Sequence, residues 1–202
     1  MVLNMGHIPL CLFIIFYLGC PIQATAHPGR TDIYGGHVDK ETGIYHFHDK
    51  TGNALKPDTG ILHIFFGIVT SVSDGDTLTI KEGNLPIKIR LNGIDCPEKQ
   101  QAFGDKARKF TADACFGKMI RAEVYDVDQY GRMVSNVILA DGNSLNSQLV
   151  AYGLAWQYAE YSSDINLAAL ERQARDMRIG LWIDTAPIPP WDFRKQIKDH
   201  DK

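Results

Sequence analysis

The chain has 202 residues, with 24 Asp and Glu against 21 Lys and Arg, a formal net charge of −3, and 45% hydrophobic residues. This mildly acidic balance argues against avid, non-specific binding of nucleic acid through bulk charge, while leaving room for turnover at a local site where a bound cation supplies part of the attraction. Of the four cysteines, Cys11 and Cys20 fall in an apolar N-terminal segment. The two that remain, Cys96 and Cys115, exclude a disulfide-stapled scaffold. Both are expected as free thiols, because Cys115 falls on the inward side of a helical pattern.

Residues 10–18 form a nearly unbroken apolar run that is short for a bilayer span. Ala24-Thr25-Ala26 follows, and the sequence turns polar at His27. An apolar core, a small-x-small triplet and a polar start make a secretory signal pattern, although the segment before the run carries no Lys or Arg. Residues 1–26 are therefore expected to be a signal peptide cleaved after Ala26. The protein is then exported, periplasmic or secreted, with no transmembrane anchor after cleavage. Leu18-Gly19-Cys20 offers the alternative of lipid attachment at Cys20, which Tyr17 disfavours.

The remaining chain of about 176 residues suits one domain plus a short module. Residues 27–60 are rich in His, Gly, Asp and Thr and show no sustained periodicity. From 61 to 195 the pattern is that of a folded domain, with 196–202 as a tail. Residues 64–72 read as a long strand, and Asp74-Gly75 as a turn before the β-branched run Thr77–Ile80. Glu82-Gly83-Asn84 makes a second turn before Pro86–Leu91, which alternates. A helix is expected over 102–116, with Ala107, Phe110 and Ala114 at helical spacing and Gly117 as its stop. Two more strands follow, Ile120–Tyr125 and Met133–Leu139. The turn Asp141-Gly142-Asn143 then leads into a helix over 144–152 that Gly153 ends. A last helix runs from after Ser162-Ser163 to about Arg178, with Leu167, Leu170, Ala174 and Met177 as its inward stripe. Pro187, Pro189 and Pro190 predict a non-helical tail, which Trp191 and Phe193 pin to the domain. Five strands with a helix between the third and fourth is the order of an OB barrel. The fold class is thus α+β, mainly a β barrel, with one inserted helix and two C-terminal helices.

Chemistry concentrates in three clusters: Ser73-Asp74-Gly75-Asp76-Thr77, Arg90-Leu91-Asn92-Gly93-Ile94-Asp95-Cys96-Pro97-Glu98, and Asp128-Gln129-Tyr130-Gly131-Arg132. Each alone reads as a solvated turn or a surface ion pair. Together they supply what phosphodiester hydrolysis needs. Asp76 and Asp95 with a backbone carbonyl offer hard oxygen ligands to a divalent cation, which would polarise a phosphoryl oxygen and hold a water. Glu98 is placed to take a proton from that water. Arg90 and Arg132 offer planar forks for phosphate oxygens, a geometry Lys lacks.

The motifs SDGDT, RLNGIDCPE and DQYGR, in this order and at these spacings, resemble the motif blocks of the staphylococcal nuclease (thermonuclease) family. GLAWQYAEY, the GLW of residues 180–182 and the PPWDFRK tail are also similar to family members. The match covers roughly residues 62–195. The resemblance implies calcium held by Asp76, Asp95 and the main-chain carbonyl of Cys96, with Asp74 in the shell behind. It implies Arg90, Glu98 and Arg132 as catalytic residues, and Tyr130 and Tyr161 as contacts to the nucleotide. It further implies DNA and RNA as substrates, cut to leave 5′-hydroxyl and 3′-phosphate ends. No obligate protein partner is expected, and a monomer is the default. Cys96 stands where the best-studied member has Thr, which a carbonyl ligand tolerates. The loop Lys99–Gly104 is shorter than in that member, which bears on substrate preference. Two other readings stay open at this point: a non-catalytic OB module for nucleic acid or a partner, and a metal-binding envelope factor.

The front segment HPGRTDIYGGHVDKETGIYHFHDK is similar to the "YHYH" segment of some exported bacterial proteins, with Phe47 in place of Tyr. His46 and His48 alternate across one residue, so a strand turns both to one side. With His37 and His27 they form a candidate nitrogen site for zinc or another transition metal. The bland alternative is a compact hairpin whose histidines make hydrogen bonds.

Overall fold

The computed structural model describes residues 36–38, 45–47 and 60–200. The expected signal peptide, His27 and His48 lie outside the described residues. In the front segment, β1 (Gly36–Val38) and β2 (Tyr45–Phe47) pair antiparallel, with His37 and His46 as directly opposed backbone partners.

The main body is a closed five-stranded barrel. β3 (His63–Val72), β4 (Thr77–Glu82) and β5 (Leu85–Leu91) form a meander. After the two-residue β6 (Ile94–Asp95), α1 (Gly104–Cys115) crosses to β7 (Met119–Val127) and β8 (Met133–Ile138). The strand order is β3-β4-β5-β8-β7. It is closed by the antiparallel pairing of β3 with β7 and by a parallel pairing of β5 with β8 at Ile89–Leu91 and Met133–Ser135. β3 serves both neighbours, pairing with β7 over His63–Ile68 and with β4 over Ile68–Val72. A bulge between Val69 and Ser71 supplies the bend that closure requires.

Alternation along each strand fills the barrel. Leu78, Ile80, Ile87, Ile89, Leu91 and Met133 point inward and are almost wholly buried, with Ala107 and Cys115 of α1 in the same core. Residues 145–157 complete the body. α2 (Leu145–Ala151) is capped by the Ser144 hydroxyl, which accepts from the Ser147 amide at 3.2 Å. β9 (Trp156–Gln157) pairs with β6. α3 (Ile165–Asp176) is capped by Asp164, whose Oδ1 accepts from the Asn166 amide at 2.8 Å. A 3-10 turn covers Gly180–Ile183. Cys96 and Cys115 are both buried and free, as expected from the sequence. Among the described residues no helix is long and apolar enough to cross a membrane.

Two expectations change. Met177 is 62% exposed, so the inward stripe of α3 is carried by Leu167 and Ala174, with Leu170 only partly covered. The stripe slips because Met177 is already past the last helical turn, as its C-cap. The tail is helical: α4 runs over Pro190–His200. The prolines do not prevent it, because Pro190 occupies the first helical position, where the missing N–H has no intrahelical partner to lose. The amides of Asp192 and Phe193 already donate to the Pro189 carbonyl, and Asp192 lies in the favourable first turn. Trp191 does pin the tail, stacking on Tyr158 with ring centroids 5.0 Å apart at 7° and meeting Trp156 edge-on at 5.7 Å.

Candidate active site

The three sequence clusters converge on one open cavity of about 1040 Å³ on the side of the barrel formed by the β3–β4 turn, the end of β5 and the β7–β8 turn. All nine residues singled out for the main site line it: Asp74, Asp76, Arg90, Asp95, Cys96, Glu98, Tyr130, Arg132 and Tyr161. In an OB barrel the second and third strands, with the loops joining strands one to two and four to five, make the ligand-binding face. Counting β3 as the first strand, Asp74, Asp76, Arg90 and Arg132 sit on those elements, and Asp95 follows on β6.

The β3–β4 turn holds Asp74 and Asp76 by a tight local fit. The Ser73 amide donates to the Thr77 carbonyl at 2.9 Å, and the Thr111 hydroxyl of α1 donates to the Gly75 carbonyl at 2.6 Å. A Cβ on Gly75 would lie 2.7 Å from both the Ala107 Cβ and the Cys96 Sγ, so only glycine lets the turn press against α1 and the Cys96 loop. Asp76 is 5% exposed. Its Oδ2 accepts from the Cys96 amide at 2.6 Å and pairs with Arg90 Nη1 at 2.9 Å. Asp95 is 1% exposed, and its Oδ1 pairs with Arg90 Nη2 at 2.7 Å. One guanidinium therefore bridges the two carboxylates that the sequence offered as cation ligands.

Electrostatics in this corner are those of crowded, buried carboxylates. Burial first, and then the neighbouring Asp76, push the Asp74 carboxyl up to about 6. Burial likewise raises Asp95, against the opposing pull of Arg194 and Arg90. For Arg90, burial works against the charge, but Asp76 and Asp95 outweigh it and the net shift is upward. Burial pushes the Cys96 thiol well above its ordinary value, and the side chain packs in the core.

Glu98 sits in the loop between β6 and α1. Its amide donates to the Gln101 side chain at 2.7 Å, and its carbonyl accepts from the Gln101 amide at 2.8 Å. Gly104 makes this possible, since a Cβ there would meet the Glu98 carbonyl oxygen at 2.0 Å. On the opposite wall, Asp128 organises the β7–β8 turn. Its Oδ1 accepts from the Tyr130 and Arg132 amides at 2.9 and 3.0 Å, and its Oδ2 accepts from Arg132 Nε at 2.6 Å. Arg132 is thus aimed by Asp128 and lies over the Tyr130 ring at 5.4 Å. Tyr130 and Tyr161 are 74% and 69% exposed at the rim, free to meet a ligand face.

The donor chemistry fits a hard divalent cation. Six carboxylates line the cavity (Asp74, Asp76, Asp95, Glu98, Asp126 and Asp128) against three guanidinium groups, Arg90, Arg132 and Arg194. Two of these carboxylates, Asp76 and Asp95, are buried; an excess of negative charge is what a cation relieves, and oxygen donors suit calcium or magnesium. Among the described residues no three His, Cys, Asp or Glu side chains form a ready-made cluster. The implied set asks for only two carboxylates, Asp76 and Asp95, plus the Cys96 carbonyl.

Among the cavity residues that sequence reasoning left without a role are Asp128, Tyr158 and Arg194. Asp128 had a signal, lying four residues before Arg132 in the same turn. Tyr158 belongs to the GLAWQYAEY segment. Arg194 was hidden by reading the tail as non-helical, since only on a helix do Trp191 and Arg194, three residues apart, share one face.

An OB barrel that gathers carboxylates and arginines on its ligand face defines, by class, a phosphodiester-hydrolysing nuclease. The profile described as staphylococcal nuclease homologue matches residues 88–184. An uncharacterized endonuclease of Escherichia coli O157:H7 is 38% identical over 128 residues, 63% of this chain and 84% of the relative. An uncharacterized endonuclease of Haemophilus influenzae is 40% identical over 131 residues, 64% of this chain and 73% of the relative. A micrococcal nuclease of Shigella flexneri is 34% identical over 145 residues, 67% of this chain and 83% of the relative. The chain belongs to the staphylococcal nuclease family.

Proposed function

We propose that the protein is an exported, calcium-dependent nuclease that cleaves DNA and RNA to 5′-hydroxyl and 3′-phosphate ends. The observation that supports this most is the meeting of Asp76, Asp95, Arg90, Glu98 and Arg132 in one cavity from three separate stretches of chain. Asp76, Asp95 and the Cys96 carbonyl hold the ion, with Asp74 behind them. Bound there, the ion supplies a Lewis acid for the phosphoryl oxygen and a site for water. Glu98 takes the proton of the attacking water. Arg90 and Arg132 grip the non-bridging oxygens and stabilise the charge that grows as phosphorus becomes five-coordinate. The new bond joins water oxygen to phosphorus, the bond to the 5′-oxygen breaks, and that oxygen takes up a proton. Tyr130 and Tyr161 flank the nucleotide at the rim.

Export is supported by the apolar run over 10–18 and the Ala24-Thr25-Ala26 triplet. For residues 27–60 we propose a separate module in which His27, His37, His46 and His48 take zinc or another transition metal. The backbone pairing of His37 with His46 favours it. The test of the main reading is incubation of the purified protein with single-stranded DNA, with calcium or with excess EGTA, followed by analysis of product ends. Calcium-dependent products with 5′-hydroxyl and 3′-phosphate ends are expected. Undiminished cleavage in EGTA, or 5′-phosphate ends, would overturn it.

A further inference from the structure

α4 does not merely close the chain. With the residue pair before it, α4 meets the surroundings of the site at three points. Trp191 stacks on Tyr158 and meets Trp156. The Ile188 carbonyl, just before the helix, accepts from Gln101 Nε2 at 3.1 Å, and Gln101 is the residue that holds the Glu98 amide. One turn beyond Trp191, Arg194 reaches into the cavity, where its guanidinium spans two carboxylates. Nη1 meets Glu98 Oε1 at 2.6 Å and also Asp95 Oδ1 at 3.4 Å, and Nη2 meets Asp95 Oδ2 at 2.7 Å.

We infer that Arg194 is a positioning residue of the nuclease site, a fork that holds the Glu98 carboxylate at a set distance from Asp95. The inference rests on the reading of Glu98 as proton acceptor given above. A guanidinium plane that holds both oxygens of Asp95 and one of Glu98 fixes the separation and relative orientation of the two carboxylates, which a Lys point charge cannot do. Stability accounts for the arm on Asp95, a carboxylate with a side chain 2% exposed, but not for the arm on Glu98. The Arg194 and Glu98 side chains are 39% and 33% exposed, a setting in which ion pairs add little to folding. The helix is already anchored by Trp191. What the fork supplies is orientation: Glu98 stands in an irregular loop, and Arg194 is the side chain that grips its carboxylate.

The test compares Arg194→Ala, Arg194→Gln and Glu98→Gln in the full chain with wild type. Readouts are kcat and KM on single-stranded DNA, calcium affinity by calorimetry and folding by circular dichroism. For Arg194→Ala, kcat should fall by roughly 10- to 100-fold, the range for lost partners of metal-site residues. KM should stay within a few-fold and calcium should bind no more weakly, because a cationic neighbour of Asp95 has gone. Methylguanidinium ion, at non-denaturing concentration, should restore part of the Arg194→Ala rate, which no purely structural role allows. Wild-type kcat in folded Arg194→Ala overturns the inference. So does a loss confined to KM, which would make Arg194 a substrate contact, or a loss that tracks weaker calcium binding. Should Arg194→Ala not fold, Arg194→Gln, which keeps bulk and one amide donor, carries the same comparison. If Glu98→Gln keeps wild-type activity, the reading of Glu98 fails; if Glu98→Gln is inactive while Arg194→Ala is not, only the present inference fails.

Discussion

Replacing Glu98 with Gln removes a proton acceptor while keeping the shape of the side chain and its loop. The backbone anchors of that loop, the Glu98 amide to Gln101 and the Gln101 amide to the Glu98 carbonyl, do not involve the carboxylate. The side-chain partner lost is Arg194, in a pair whose members are about a third exposed. Such pairs contribute roughly 0–1 kcal/mol, so Tm should move by only a few degrees. Loss of a general base costs on the order of 10² to 10⁴ in rate, or about 2.7 kcal/mol and upward on the barrier. A separation of the two effects is therefore expected: kcat down by at least about 10², with the melting curve nearly unchanged. Initial rates on single-stranded DNA at saturating calcium, paired with thermal melts of the same samples, make the comparison. A variant within tenfold of wild type would refute the assignment of Glu98, and an unfolded variant would refute the account of its loop.

Arg132→Ala should lose at least as much activity, and a near-wild-type rate would remove it from the site; Asp128→Asn should show a smaller loss in the same assay, since the Arg132 Nε partner is weakened and not the guanidinium itself. In the cation-free protein, Asp74 keeps its proton up to about pH 6 when folded, against an ordinary value of 3.8. The folded state therefore loses stability as pH rises through that window. Asp74→Asn should raise Tm in EGTA at pH 7, the gain shrinking toward pH 4; a pH-independent difference would contradict this. Deleting residues 27–60 should leave a folded, active barrel, measured by circular dichroism and nuclease rate, and loss of folding would show that the segment belongs to the core.

The parts of the molecule that sequence made legible are those where one local rule decides. The barrel strands alternate, so Ile87, Ile89 and Leu91 announced their face, and the three charged motifs sit in turns short enough for their spacing to have meaning. α4 was misread because proline density was weighed without regard to position: Pro190 begins a helix as readily as proline ends one. Met177 was misassigned because periodicity alone does not mark the final helical turn. The grip of Arg194 on Glu98 depends on how distant segments meet, which no local pattern encodes, whereas that of Asp128 on Arg132 lies within a single turn. Arg194 and Glu98 are 96 residues apart and meet only because α4 docks on Tyr158.

The central claim is that one cation and one phosphate share this cavity. It is tested most directly by calorimetric titration of calcium into the Glu98→Gln variant, with and without a short single-stranded oligonucleotide that this variant leaves uncut. One calcium should bind per chain, calcium and oligonucleotide should each tighten the other by the same factor, and both binding and coupling should vanish when Asp95→Asn is added. Calcium binding that persists unchanged in the Asp95→Asn double variant, or that is indifferent to the oligonucleotide, would contradict the account.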